Sequence, residues 1–113
     1  MLPEARKHLF DVREGCARIT RFTRGVTPEE YAGSELLRAA VERQFEIIGE
    51  ALRRLSQADL STFELVPGAR RIISFRNILA HGYDSVSNTM VWSFVVDFVP
   101  DLMTQAIALL DSA

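Results

Sequence analysis

The chain has 113 residues, 48% of them apolar and 25% charged, with a net charge of −2 and one cysteine. That balance fits one globular domain with a modest core and excludes a disordered or fibrous chain. A small negative charge argues against a protein that coats nucleic acid generally, and a single thiol cannot close an intrachain disulfide.

The charge is unevenly placed. All thirteen Lys and Arg lie in residues 1–76, beside eleven Asp and Glu, whereas 77–113 hold four Asp and no cation. The N-terminal stretch MLPEARKHLFDVREG carries charge throughout, without the run of ~7–15 apolar residues of a signal peptide. The most apolar patch, VWSFVVDFVP, is broken by Asp97 and Pro100. No membrane span is therefore expected, and a cytoplasmic location is.

Helical periodicity starts at once. Leu2, Ala5, Leu9, Val12, Cys16 and Ile19 recur at steps of three and four, the pattern of a helix in a bundle. Gly25 is a plausible stop. Thr27, Pro28 and Glu30 make a capping-box start for a short helix that Gly33 interrupts. Ser34 can cap a longer one, in which Leu37, Val41, Ile48, Ala51 and Leu55 form a stripe thickened by Phe45 and Leu52. Residues 56–66 read as a connection. Pro67 suits the first turn of the next helix, which runs through FRNILAHGY and stops at Gly82. YDSVSN is a turn and Ser87 a candidate cap. The last helix spans about Asn88 to Asp111, and Pro100 must kink or split it. No alternating strand pattern of any length is present. The fold expected is all-α: one domain over 1–113, an up-and-down bundle of four main helices plus one short helix.

Several familiar sites are missing from the sequence. His8, His81 and Cys16 have no metal-ligand spacing. Glu42, Glu46 and Glu50 stand at i, i+4, as a solvated face or as a row for a hard cation. Cys16 falls at a core position, which argues against a nucleophile. No phosphate loop or dinucleotide fingerprint occurs, and no cofactor is expected.

Residues 75–83 are different. At ~100° per residue, Phe75, Leu79 and Ile72 make one buried stripe, while Arg76, Asn77 and His81 lie off it. Arg76 and His81 are then expected to flank one groove near the C-terminal end of the helix. Two readings fit. In the structural one, His81 complements the helix dipole and Arg76 pairs with Glu46 or Glu50. In the chemical one, His81 is a general base for a ribose 2′-hydroxyl and Arg76 a cation for the phosphate. One Arg and one His are few, and a two-fold dimer would supply two of each.

Arg76, four residues, His81, one residue, Tyr83 resembles the R-x4-H-x-Y signature of HEPN domains, in the HepT-like branch. AVERQFEIIGEAL (40–52) is similar to that family's central helix, and PGARRIISFRNILAHGY with VWSFVVDFVPDL resembles the rest. The resemblance implies a dimeric helical bundle and a metal-independent endoribonuclease acting as the toxin of a toxin–antitoxin pair. It further implies an MntA-like nucleotidyltransferase antitoxin that adds AMP to Tyr83. Carried over, Arg76 and His81 are catalytic, Asn77 helps place the histidine, and Glu50 orients Arg76. Arg70 and Arg71 are expected to grip RNA, with Arg53 and Arg54 as further candidates. A non-catalytic alternative is a nucleotide-binding or scaffold subunit of a nucleotidyltransferase complex. A purely structural helical dimer is the third reading.

Overall fold

The computed structural model describes residues 1–81 and 86–112. Among them are seven helices: α1 (Pro3–Thr23), α2 (Pro28–Gly33), α3 (Glu35–Ala58), α4 (Leu60–Phe63), α5 (Ala69–His81), α6 (Asn88–Asp97) and α7 (Val99–Asp111). The architecture is the all-α bundle expected, with α4 as an added single turn.

Local chemistry sets the boundaries. Thr27 accepts from the Glu30 backbone N–H at 3.1 Å while the Glu30 carboxylate accepts from the Thr27 N–H at 3.0 Å, closing the capping box. The Ser34 hydroxyl accepts from Leu37 N–H at 3.1 Å and starts α3. Ser87 does the same for α6 through Met90 N–H at 3.0 Å. The stretch 56–66 is more ordered than its sequence suggests: α3 continues through Ser56 and Gln57 to Ala58. Asp59 then caps α4, accepting from Thr62 N–H at 3.2 Å and Thr62 O–H at 2.8 Å. Pro67 lies in the turn before α5, which begins at Ala69. The expected stop at Gly82 lies outside the described residues, as does the first half of the YDSVSN turn.

The helices pack along the stripes read from the sequence. Ala5, Leu9, Val12, Cys16 and Ile19 of α1 are fully buried, as are Val41, Phe45, Ile48, Leu52 and Leu55 of α3. Burial without a polar partner pushes the Cys16 thiol up to about 12, so it is a core side chain and not a nucleophile. Helix α1 lies between α3 and α7, and α3 between α1 and α5. The chain directions follow from two bonds at the start of α1. Leu2 N–H reaches Asp59 Oδ2 at 3.0 Å, at the end of α3, and Arg6 Nη1 reaches the Leu110 carbonyl at 3.1 Å, at the end of α7. Both neighbours are thus antiparallel to α1. The α1–α3 seam closes at Gly15, where any Cβ would lie 2.6 Å from Ile48 Cγ1.

Aromatic rings join α6 to the rest. Phe94 stacks on Phe75 with centroids 4.0 Å apart and on Phe98 at 4.8 Å, while Trp92 meets the buried Tyr31 at 5.3 Å. Pro100 splits the final helix as expected. The break falls at Phe98, and Pro100 sits in the first turn of α7, where its missing N–H costs nothing. One expectation needs correcting. Taken together, Asn88–Asp111 is long and apolar enough to match a membrane span by composition, with an 18-residue window of mean hydropathy 1.4, of which 22% is buried. Asp97 and Pro100 do interrupt the patch, yet α6 and α7 leave Val96 and Ile107 exposed beside their core-facing residues.

Candidate active site

Arg76 sits where α5 crosses α3. The crossing is close because residue 49 is glycine: a Cβ there would lie 2.4 Å from Arg76 Cβ and 2.6 Å from its Cγ. The arginine stem therefore lies flat across α3. Its guanidinium reaches Glu50, with Nη2 3.5 Å from Oε2, and Nη1 donates to Asn77 Oδ1 at 3.2 Å. Its Nε is buried with no acceptor among the described residues.

Glu50 is the hub of this corner. It accepts from Arg53 Nη2 at 2.6 Å and Nε at 3.2 Å, and from Arg54 Nε at 3.1 Å. The Arg53 hydrogen bond, then Arg54 and the nearby Arg76 charge, hold its carboxyl down at about 2, against the cost of partial burial. It is a fixed anion at any physiological pH. Three guanidiniums face this one carboxylate, so the corner keeps an excess of positive charge suited to a phosphate. The other carboxylates considered as a cation row are differently engaged. Glu46 pairs with Arg43 at 3.6 Å, and burial pushes the Glu42 carboxyl up.

Arg76 lines a cavity of about 240 Å³ that opens along the exposed face of α3. Glu50, Glu46, Arg43 and Arg54 of α3 also line it, as do His8 and Asp11 of α1.

The structure places the other predicted residues elsewhere. His81 is exposed at the end of α5 and is not part of the Arg76 cavity. This corrects the single groove expected: five residues at ~100° each set the two side chains ~140° apart, and Gly49 draws only Arg76 onto α3. Arg70 and Arg71 lie on the opposite side of α5 from Arg76. Arg70 is held by Glu64 through bonds of 2.9 and 2.6 Å and lies 5.1 Å over the Phe63 ring. Arg71 lies 5.1 Å over Phe98. Both border a second groove, of about 460 Å³, between α5 and α6, with Ile78, Met90 and Phe94 as its apolar lining. Tyr83 lies outside the described residues.

Sequence reasoning missed two members of the site. Gly49 lies within AVERQFEIIGEAL, and a glycine amid good helix formers is itself a signal of close approach. His8 was weighed only as a metal ligand, and its place beside Arg76 depends on how α1 docks on α3.

Comparison with known proteins agrees with this architecture. The profile of the Ribonuclease HepT-like family matches residues 12–109. The chain belongs to that family. A protein of Methanocaldococcus jannaschii, named as a candidate RNase, is 30% identical over 99 residues, spanning 88% of this chain and 90% of its own. A protein of Thermococcus cleftensis named probable ribonuclease HepT is 30% identical over 95 residues, 84% of this chain and 86% of its own. Another candidate RNase, from Caldanaerobacter subterraneus, is 27% identical over 100 residues, 88% of each chain. No solved structure matches the chain.

Proposed function

We propose that this chain is a metal-independent endoribonuclease whose active site is completed by a second copy of itself. The observation that carries the reading is Arg76: a motif arginine laid over Gly49, held by Glu50 and Asn77, and lining a cavity that also presents Arg43 and Arg54. That arrangement is built to hold a phosphate and stabilise charge gathering on it. The family's RNase-named members supply the substrate class.

His81 is the general base in this reading, taking the proton of a ribose 2′-hydroxyl. Because His81 and Arg76 point apart within one chain, the working pair comes from two protomers across a two-fold axis. The exposed apolar rim of the α5–α6 groove, where Ile78 is 38% exposed, offers surface that such a dimer would cover. Arg70 and Arg71, bordering that groove, would meet the RNA backbone on its way to the cleft, at the expense of the Glu64 pair. The protein acts in the cytoplasm as the toxin of a pair, and an MntA-like nucleotidyltransferase silences it by adding AMP to Tyr83. A bulky anion two residues beyond His81 would block the cleft and compete for Arg76.

The test is cleavage of single-stranded RNA in excess chelator. Wild type cuts, while Arg76→Ala and His81→Ala lose about 10²-fold or more in rate with unchanged melting. Equal cleavage by all three would sink the reading. The regulatory part is read separately, by intact mass after production with the neighbouring nucleotidyltransferase. Adenylyl additions absent from Tyr83→Phe support it, and an unmodified wild-type mass removes it.

A further inference from the structure

Cutting RNA through its 2′-hydroxyl requires two proton transfers, and His81 accounts for one. The chain has two histidines. The other, His8, is half-buried on α1 and lines the same cavity of about 240 Å³ as Arg76. The imidazole and the guanidinium therefore border one and the same cavity.

The position of His8 is structural in origin but not required by the core. It lies beside Leu9 on the flank of the α1 stripe, where α1 meets α3, one turn before Asp11. No hydrogen bond or ion pair among the described residues engages its ring, whereas its charged neighbours are paired. Asp11 is taken by Lys7 at 3.7 Å, Glu46 by Arg43, and Glu50 by its three arginines. His8 also borders an adjoining cleft of about 260 Å³ with Glu4, Arg54 and Gln57, so the groove continues past it along the α1–α3 seam. A strand lying in that groove would run from Arg76 over His8.

We propose that His8 is a second catalytic residue, the general acid that protonates the leaving 5′-oxygen. The inference rests on the ribonuclease reading above. The step balances without a metal, water or co-reactant. His81 of a second copy takes the 2′-hydroxyl proton, and the 2′-oxygen bonds to phosphorus. The bond from phosphorus to the 5′-oxygen then breaks, and the proton of His8 passes to that oxygen. The products are a 2′,3′-cyclic phosphate end and a 5′-hydroxyl end. Imidazole suits the role because it exchanges protons near neutral pH. The alternative donor is a second His81 across the dimer axis.

The experiment compares wild type and His8→Gln on two substrates in chelator. One is an RNA oligonucleotide, the other the same oligonucleotide with sulfur replacing the bridging 5′-oxygen at the cut site, a leaving group that departs unprotonated. We expect His8→Gln to lose about 10²-fold or more on the oxygen substrate and far less on the sulfur one, with unchanged melting. His8→Asn should repeat the pattern. Wild-type rates on the oxygen substrate would overturn the proposal and assign the acid to the second His81. An equal loss on both substrates would overturn it as well, reducing His8 to a positioning role. Failure of the ribonuclease reading looks different: wild type then cuts neither substrate, or Arg76→Ala and His81→Ala cut both as wild type does.

Discussion

Arg76 reaches Glu50 across a helix crossing that tolerates no side chain at residue 49. Gly49→Ala would place a methyl 2.4 Å from Arg76 Cβ and 2.6 Å from its Cγ, so the crossing would have to shift. We expect a loss of about 1–3 kcal/mol in thermal melting, the usual cost of overpacking, together with reduced cleavage because the guanidinium is displaced. A melting temperature equal to wild type would show that the crossing yields easily. Glu50 gives a pH signature. Its carboxyl is held at about 2, below the ordinary 4.5, chiefly by the Arg53 hydrogen bond. A lowered value stabilises the fold above the unfolded-state value and loses that contribution as pH falls from 4.5 toward 2. The stability advantage of wild type over Glu50→Gln, followed by chemical denaturation, is therefore expected to be full at pH 6 and to shrink below pH 4.5. A constant advantage across that range would contradict the assigned ion cluster. At this scale the sequence was partly legible. Arg76, Asn77 and Glu50 were named from the motif and do meet. The divergence of Arg76 and His81 follows from helical pitch but is felt only once Gly49 fixes which face touches α3.

At the scale of elements, the caps were written locally and could be read. Thr27, Ser34 and Ser87 each start a helix through one hydrogen bond to a backbone N–H within three residues, a relation that needs no tertiary knowledge. Asp59 obeys the same chemistry but was passed over, because the helix it starts is a single turn and its second oxygen works at long range. That oxygen accepts from Leu2 N–H, tying the start of α1 to the end of α3. Asp59→Ala should therefore cost about 1 kcal/mol for the cap alone, with a further loss from freeing the N-terminus. Thermal melting checks the first, and faster amide exchange over the first turn of α1 checks the second. An unchanged melting point would show that neither the cap nor the tie contributes to stability. The split at Phe98 was legible from Pro100, but the extent of exposed apolar surface on α6 and α7 was not. Periodicity identifies the face turned to the core, whereas the other face is apolar too and gives no contrast.

At the scale of the whole molecule, the proposal of a site shared between two copies rests on how little one chain encloses. A chain of 113 residues buries one modest core, and its motif histidine and arginine lie on different faces of one helix. The exposed apolar rim beside α5 and the acidic, cation-free last third are surfaces a single copy leaves unused. Sequence patterning could not show this, since composition records how much apolar surface exists and not how much remains uncovered. If two copies share each site, cleavage should fall with protein concentration below the dimer dissociation constant, more steeply than dilution alone dictates. A rate strictly proportional to concentration down to the lowest dilution would favour a self-sufficient chain.

The most direct measurement mixes two inactive variants. Arg76→Ala and His81→Ala are each assayed on single-stranded RNA in chelator, alone and after unfolding and refolding together. Each variant alone should be nearly inactive, and the mixture should regain a substantial fraction of wild-type activity, because the mixed dimer carries one intact pairing of Arg76 from one copy with His81 from the other. A mixture as inactive as its parts would place both groups in one chain, and parents as active as wild type would remove Arg76 and His81 from the chemistry altogether.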